Sequence, residues 1–526
     1  MLLPGAPRDR FPSRAAVVGP VPLCDADTVS FAGLDPHPPT AALASATAAS
    51  LAEDLATGRT TSVALTRALL DRIAALDSDG PRLRAVLAVS ADCLEQAAAR
   101  DAERAAGRLR GPLHGVPVLV KDNVETVGLP GTAGSLALAG RPVVRDAPLV
   151  ASMRAAGLVV LGATNLSEWA NMRSPRSTSG WSAVGGLTGN PWALDRSAGG
   201  SSSGSGAALA AGFAPLAVGS ETDGSITCPS SLNGVVGLKP TVGLVSTAGV
   251  VPLAASQDAP GPMARSVRDA ALLLDAMTGS STYARGPGSR SVAELRLGVA
   301  TGWRSGHEGT DALFDETLRR LEAAGATLGE VAVQPAGAAG LAELAVLLCE
   351  LKDGLDRYLA TRPGEGPSSL AEVVAFDVEH ADLELAHFGH EFLVDAAATA
   401  GLEDPAYAEA RAGCLAWAVE EMLKPAFGVD LGPDVLVAPA YAPAWKSDLV
   451  AGDHFAGGGA ASTAPSLAGW PVLCLPMGLV SGLPVGLVLI GRPHSEQLLL
   501  AAGHAVEQVI GVAGTLRPTW TPPVRG

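Results

Sequence analysis

Lysine is scarce in this sequence, and one lysine lies where it could act as a base. Only five of the 37 lysines and arginines are lysines, which indicates that arginine serves wherever a surface cation is enough. A guanidinium group cannot release its proton near neutral pH, whereas the amine of a buried lysine can. Lys121 directly follows the apolar run 115–120, so its amine is expected at the dry end of a strand. The same pattern is also typical of a lysine that leaves a sheet for solvent.

A Ser/Gly run, SAGGSSSGSG at 197–206, places several hydroxyl groups on a backbone with few large side chains. Gly200 to Gly204 match the G-x-S-x-G nucleophile elbow of α/β-hydrolases, which would make Ser202 a nucleophile. An elbow requires a hydrophobic strand immediately before it, and residues 189–198 have the sequence of a polar loop. No Gly-Lys-Ser/Thr follows the run, which argues against a P-loop. The sequence therefore disfavours both motifs.

A third stretch could supply a nucleophile together with its oxyanion hole. Ser225 follows Thr222, Asp223 and Gly224, which are residue types suited to a tight turn. Such a turn can direct several backbone N–H groups towards one point beside a serine hydroxyl, as acyl transfer requires. A serine after Asp-Gly is also common in ordinary surface turns.

The composition limits the class of protein. Of the 526 residues, 48% are apolar and 17% are charged, which excludes a disordered chain. The net charge of -16 argues against nucleic acid or an anionic membrane as a partner. The start of the chain lacks the continuous apolar segment of a secretory signal, and Ser and Gly interrupt the uncharged run 197–220. We therefore expect a cytoplasmic protein without a membrane span.

No cofactor or metal is expected from the Cys and His pattern. The six cysteines are scattered without a C-x-x-C pair, so they are predicted to be reduced and mostly buried. His380, His387 and His390 lie among acidic residues in a stretch of helical character. We interpret that stretch as the solvated face of a helix rather than as a metal site.

The elements that must position these residues are those of an α/β protein. Hydrophobic periodicity predicts two antiparallel helices between residues 41 and 76 and a final helix near the C terminus. Residues 335–428 are predicted to be a helical insertion, and residues 1–39 a Pro-rich arm before one domain, 40–526. Short β-like runs on both sides of the insertion predict a single interrupted sheet; they are 85–89, 116–120, 157–162, 434–439, 471–476 and 484–491.

Three motifs together resemble those of the amidase signature family. They are VPVLVKDNV (116–124), AGGSSSGSGAALAAG (198–212) and ETDGSITCP (221–229), and the likeness extends from about residue 40 to the C terminus. The resemblance implies an α/β fold with a large mixed sheet that helices cover on both faces. It also implies hydrolysis of a small-molecule or peptide amide by a Ser–cis-Ser–Lys triad, without metal or organic cofactor.

The resemblance assigns a role to each candidate residue. Ser225 would be the nucleophile, Ser201 the bridging serine after a cis peptide bond, and Lys121 the base. Ser202 would then be a neighbour in the supporting network. The N–H groups of the turn that contains Thr222, Asp223 and Gly224 would form the oxyanion hole. In this interpretation the glycines serve close packing of the backbone around the site.

Two further segments are most similar to those of peptide amidases, which remove ammonia from C-terminally amidated peptides. They are residues 165–182 and 448–455. An amidase for small aryl or aliphatic amides stays open as an alternative. An amidotransferase A-type subunit is disfavoured, since Thr227 stands where many members of the family have an arginine. An inactive binding protein is disfavoured because all three triad positions are filled. No oligomeric state is predicted.

Overall fold

The computed structural model describes residues 46–428, 432–512 and 514–520. The predicted arm, 1–39, lies outside these residues, as does Cys24. The other five cysteines are all buried, as predicted, and no disulfide bond joins any two of them.

An 11-stranded mixed sheet organises the chain. The described residues contain fifteen strands, of which four form two small hairpins, β4–β5 and β6–β7. The strands are β1 Val86–Val89, β2 Pro117–Lys121, β3 Val159–Thr164, β4 Trp181–Ser182, β5 Gly186–Leu187, β6 Gly189–Asn190, β7 Ala193–Ser197, β8 Leu216–Glu221, β9 Val236–Lys239, β10 Ala259–Ala264, β11 Arg296–Ala300, β12 Thr327–Val331, β13 Val435–Pro439, β14 Val472–Val480 and β15 Leu483–Ile490. The order in the large sheet is β1-β3-β2-β8-β10-β9-β14-β15-β13-β11-β12. The predicted runs correspond to β1, β2, β3, β13, β14 and β15, all in this one sheet.

Helices surround the sheet. They are α1 Ala48–Ala56, α2 Ser62–Ile73, α3 Cys93–Ala105, α4 Pro148–Ala155, α5 Ser203–Ala211, α6 Thr227–Asn233, α7 Val267–Thr278, α8 Glu308–Ala323, α9 Ala338–Thr361, α10 Leu370–Glu379, α11 Ala381–Glu384, α12 Glu391–Ala398, α13 Pro405–Leu415, α14 Lys424–Phe427, α15 Ala460–Leu467 and α16 Glu496–Ile510. Two π-helical segments, Ala74–Ser78 and Ala416–Leu423, extend α2 and α13. In the described part of the chain, no helix combines the length and the apolar character needed to cross a bilayer.

Both faces of the sheet are covered, as expected. Along β13, Val435 and Val437 belong to one hydrophobic cluster, whereas Leu436 and Ala438 belong to another. Because successive side chains of a strand point to opposite faces, two cores enclose this strand. The chain between Ala338 and Phe427 forms helices and connecting loops without a strand, and β13 then pairs in parallel with β11 in the large sheet.

Parallel pairing brings the ends of two strands together. β2 pairs in parallel with β8, with Val118 opposite Leu216 and Val120 opposite Val218. Neighbouring parallel strands end at the same edge of a sheet, so Lys121 at the end of β2 lies beside the last residues of β8. The Ser/Gly run also lies at this edge, where Ser201 contacts Lys121.

The predicted solvated histidine face is wrong. The helix α10 ends at Glu379, and His390 is buried with its Nδ1 2.9 Å from Asp377 Oδ2. The exposed His387 packs edge-on against the ring of Trp181. Trp181 is distant in sequence, and Asp377 lies on α10 whereas His390 follows the end of that helix, so helical periodicity within the stretch did not indicate these contacts.

The helix α5 is buried along its whole length, which explains its composition of Ser, Gly, Ala and one Leu. A Cβ atom on Gly204 would lie 2.3 Å from the carbonyl oxygen of Ala85 and 2.5 Å from that of Asn165. Both are backbone atoms, so the helix could not keep its place against β1 and β3 with a larger residue. Gly204 is therefore required because the backbone at Ala85 and Asn165 packs closely against the helix, and not because the helix must be flexible.

We predict that Gly204→Ala lowers the free energy of unfolding by about 1–3 kcal/mol or more, because the methyl group overpacks a backbone contact. The matched control is Gly413→Ala in α13, where a Cβ atom would meet nothing within 4 Å. This control should be neutral or more stable by up to about 1 kcal/mol, since alanine favours helix. Thermal and urea unfolding of both variants measure the difference. Equal stability of the two variants would contradict the packing argument.

Candidate active site

Lys121 is fully buried, with 0% of its surface exposed. Its Nζ lies 2.8 Å from Ser201 Oγ, 3.0 Å from Ser220 Oγ and 3.2 Å from the carbonyl oxygen of Ser220. All three partners are uncharged. The structure therefore brings the candidate base together with the candidate bridging serine.

Burial lowers the pKa of Lys121 to about 7, because the charged ammonium form loses its hydration. The negative charges of Asp258 and Glu221 oppose this shift, but burial outweighs them. Burial also raises the pKa of Asp258 to about 6, so this carboxyl group is still largely ionised at pH 7 and its charge is part of the opposition that burial outweighs. A substantial fraction of Lys121 is consequently a neutral amine that can accept a proton at neutral pH.

Ser201 and Ser202 have different surroundings. Ser201 follows a cis peptide bond at Gly200–Ser201, and its carbonyl oxygen accepts a hydrogen bond from Ser167 N at 3.0 Å. The hydroxyl of Ser202 bridges the backbone of Ser220, 3.2 Å from both its O and its N. The backbone N–H of Ser202 donates to the carbonyl of Ser225 at 3.1 Å. Ser202 therefore ties the candidate nucleophile to β8, which agrees with a supporting role.

The turn that carries Ser225 is held by two buried carboxylates. Glu221 Oε2 accepts hydrogen bonds from Ile226 N at 2.6 Å and from Thr227 N at 2.7 Å. Thr222 Oγ1 donates to Asp258 Oδ1 at 2.5 Å. These contacts fix the turn at both ends, between β8 and α6.

The backbone N–H groups of this turn are available to a ligand. Within the described residues, those of Thr222, Asp223, Gly224 and Ser225 have no hydrogen-bond acceptor. Gly224 adopts φ +80°, a left-handed conformation that glycine tolerates well. An oxyanion hole needs such uncommitted and fixed donors, so the turn has the property that its predicted role requires.

Ser225 lies on a cavity of about 160 Å³. The cavity is lined by Ala170, Asn171, Met172, Ser179, Gly200, Asp223, Gly224, Ser225, Cys228, Leu253, Leu347, Tyr441 and Phe455. Ser225 Oγ has no hydrogen-bond partner in the described part of the chain. The structure therefore forms the Lys121–Ser201 contact but not a Ser201–Ser225 hydrogen bond. Catalytic contacts often tighten only when a substrate is bound.

The two segments that resemble those of peptide amidases meet at this cavity. Ser179 donates from its Oγ to Asp453 Oδ2 at 2.5 Å, and Thr178 Oγ1 donates to the carbonyl of Asp448 at 2.6 Å. Trp445 Nε1 also donates to Asp453, at 3.0 Å, and the ring of Trp445 packs 4.5 Å from that of Phe455. Asp453 is thus the centre of the contact, a role that nothing local in the sequence indicates.

The segment 165–182 contains three consecutive non-glycine residues in the left-handed region. Trp169, Ala170 and Asn171 have φ angles of 50°, 57° and 73°. Such residues cost roughly 1–3 kcal/mol each and persist only where the surroundings impose them. Trp169 N donates to Ala133 O at 3.0 Å, which fixes the first of the three.

A buried arginine, two residues after the left-handed turn, fixes the middle of this segment. Arg173 is fully buried and pairs with the carboxylate of Glu168 and the carbonyl of Glu384, while Nε donates to Gly389 O at 3.2 Å. Its guanidinium also lies 5.2 Å from the ring of Trp181. The helical region 338–427 therefore holds one wall of the cavity in place.

Two further polar residues support the base and were missed by sequence reasoning. Ser220 Oγ contacts Lys121, and Asn123 Nδ2 donates to the same oxygen at 2.9 Å. Ser220 follows the apolar part of β8, two residues before Thr222, and Asn123 follows Lys121 by two residues. The sequence signal that could have identified Ser220 was a polar residue at the end of an apolar run, because a buried polar group needs a hydrogen-bond partner.

Comparisons with known proteins agree with this geometry. A family model described as Amidase matches residues 64–500. A peptide amidase from Stenotrophomonas maltophilia is 44% identical, with 90% of this chain and 98% of that chain covered and a TM-score of 0.80. The structure of the peptide amidase PAM with the competitive inhibitor chymostatin has the same identity and coverage and a TM-score of 0.81. The glutamyl-tRNA(Gln) amidotransferase A-type subunit of Symbiobacterium thermophilum is 35% identical over 475 residues, with 86% of this chain and 94% of that protein covered.

We predict that a fluorophosphonate probe labels Ser225, because this serine lies on the cavity beside uncommitted N–H donors. Ser225→Ala should abolish labelling, whereas Ser202→Ala should retain it, since the Ser202 hydroxyl is buried and engaged with backbone. Mass spectrometry of digested protein identifies the labelled residue. A label on Ser202 would contradict the assignment and favour the nucleophile elbow.

Proposed function

Because the chain belongs to the amidase family and is a hydrolase of amide C–N bonds, we propose that its substrate is the C-terminal carboxamide of peptides. The products are a peptide carboxylate and ammonia. The observation that carries this proposal is the contact between a buried lysine amine and Ser201 beside the Ser225 turn. The meeting of segments 165–182 and 448–455 at the same cavity supports a peptide rather than a smaller amide as substrate.

The mechanism transfers protons along three side chains. Neutral Lys121 accepts a proton from Ser201, which accepts one from Ser225 as Ser225 Oγ attacks the amide carbonyl carbon. The tetrahedral oxyanion binds to N–H groups of Thr222 to Ser225, and each such donor contributes roughly 3 kcal/mol in comparable hydrolases. The proton then returns to the amide nitrogen, and the C–N bond breaks with release of ammonia.

Deacylation uses the same groups. Water attacks the ester between Ser225 and the acyl group, while Ser201 accepts its proton with Lys121 behind it. The ester bond breaks, Ser225 recovers its proton, and the product leaves as a carboxylic acid, whose remaining proton passes through solvent to ammonia to give carboxylate and ammonium. Each group returns to its starting protonation state, so the cycle needs no additional reactant beyond water.

A second candidate is a role as an amidotransferase component, which the 35% identity to such a protein favours. Thr227 and the net charge of -16 count against it, because many relatives have an arginine at that position and a tRNA partner favours basic surfaces. An amidase of small aryl or aliphatic amides shares the same triad and differs only in what fills the cavity.

We predict that the isolated chain releases ammonia from N-acetylated amino acid amides without ATP or a partner protein. Its kcat/KM for these compounds should exceed that for benzamide and propionamide by about 10-fold or more, since contacts remote from the reacting carbonyl supply transition-state binding. Coupled ammonia assays measure both. Preference for benzamide or propionamide would favour the small-amide alternative, and activity that requires ATP and a partner would favour the amidotransferase role.

The rate should rise with pH along a single limb whose midpoint is about 7, the pKa of Lys121. The neutral amine is the active form, so activity is lost as pH falls and the lysine becomes protonated. Lys121→Arg should lose about 10³-fold or more in kcat, nearly as much as Lys121→Ala, because guanidinium cannot accept the proton. A Lys121→Arg enzyme with most of the wild-type rate would show that only positive charge is needed.

A further inference from the structure

Asn171 offers an uncommitted amide group to the cavity of Ser225. It lines that cavity, and its side chain has no hydrogen-bond partner among the residues that the structure describes. A primary amide carries one acceptor oxygen and two donor hydrogens. It can therefore bind both the N–H and the C=O of a peptide group.

Other polar side chains on the cavity are already engaged or offer fewer donors. The Ser179 hydroxyl donates to Asp453 Oδ2 at 2.5 Å. The Tyr441 hydroxyl contacts the side chain of Ser462. Asp223 Oδ2 accepts from Thr463 Oγ1 at 2.9 Å, and Oδ1 has no partner among the described residues. Burial raises the pKa of Asp223, but a carboxyl group offers at most one donor hydrogen, whereas a primary amide offers two. The remaining lining is largely apolar, so Asn171 is the group best suited to recognise a peptide bond.

The backbone at Asn171 is fixed in advance of substrate binding. Trp169 and Ala170 precede it in the left-handed region, which neither residue type favours, so the surroundings impose the turn. Met172 N donates to Trp169 O at 3.0 Å. The next residue, Arg173, is held in place by buried ion pairs with Glu168 and Glu384. Asn171 itself is one of the few residue types that adopt this conformation readily. A fixed backbone lowers the entropic cost of using this side chain as a ligand.

We propose that the Asn171 side chain binds the peptide group that precedes the scissile carboxamide, and so selects peptide amides over simple carboxamides. The inference rests on the proposed function and names a residue that determines its substrate class. Discrimination follows because a site that hydrogen-bonds a substrate group rejects analogues that lack it. Asn171 acts on binding of the substrate and takes no part in proton transfer.

Two substrates isolate the effect. N-acetyl-L-phenylalaninamide and 3-phenylpropanamide share the scissile carboxamide and the benzyl group, but only the first carries an acylamino group. The measured quantity is the ratio of their kcat/KM values. This ratio compares two substrates on the same preparation, so it does not depend on how much of a variant is correctly folded.

Asn171→Gly removes the amide and retains full freedom for the left-handed conformation. We expect it to lower the substrate ratio by about 10- to 100-fold, which corresponds to the loss of hydrogen bonds to a buried peptide group. Asn171→Asp keeps an acceptor and loses the donors, so its ratio should fall to an intermediate value. Leu347→Ala is the matched control on the same cavity and should leave the ratio within about threefold, because an apolar side chain contacts both substrates alike.

An unchanged ratio in both Asn171 variants would overturn this inference while leaving peptide amidase activity intact. It would mean that Asn171 is present only for its backbone conformation. A wild-type ratio near one would instead overturn the proposed peptide substrate and this inference together. The two failures are thus distinguishable in one set of measurements.

Discussion

The amine of Lys121 is enclosed where its hydrogen-bonding partners are two hydroxyl groups and one carbonyl oxygen. None of these carries a charge, and within the described residues Lys121 forms no ion pair. A buried ammonium without a counter-ion is costly, so this environment favours the neutral amine. The arrangement of Ser201, Ser220 and Asn123 is consistent with that constraint, since each of them offers a polar atom without a charge. A base of this kind can operate at neutral pH only while the site stays dry and rigid.

Dryness and rigidity come from elements far apart in the chain. Parallel pairing of β2 with β8 brings Lys121 to the Ser225 turn. Burial of α5 brings Ser201 to the same edge of the sheet. The helical region after β12 contributes through Arg173, whose partners Glu384 and Gly389 lie in it. Strain in the turn at Trp169 to Asn171 is therefore balanced by buried contacts of Arg173, one with the nearby Glu168 and others with Glu384 and Gly389 in the distant helical region.

Sequence reasoning identified the strands on both sides of the helical region, because buried strands have short apolar runs between turn residues. It also singled out Lys121 from its place after such a run, but the same pattern fitted a lysine that leaves the sheet for solvent, and the structure shows it buried. The scarcity of lysine does not mean that every lysine acts as a base. Lys352, Lys424 and Lys446 instead lie near acidic side chains, with their own side chains partly or largely exposed. Ser220, Asp453 and the buried His390 were missed because their partners lie on other elements. Hydrophobic periodicity predicts which face of a helix or strand is buried. It does not predict which residues of other elements contact that face.

The central claim, that Lys121 loses its proton near neutral pH, can be tested directly. Five lysines give a simple NMR spectrum of the protein labelled with ¹³C at lysine Cε, and Lys121→Met assigns the resonance. The assignment matters because burial also lowers the pKa of Lys239, to about 8. The account predicts that the Lys121 resonance titrates with a midpoint of about 7. A midpoint near the ordinary lysine value of about 10.4 would contradict it.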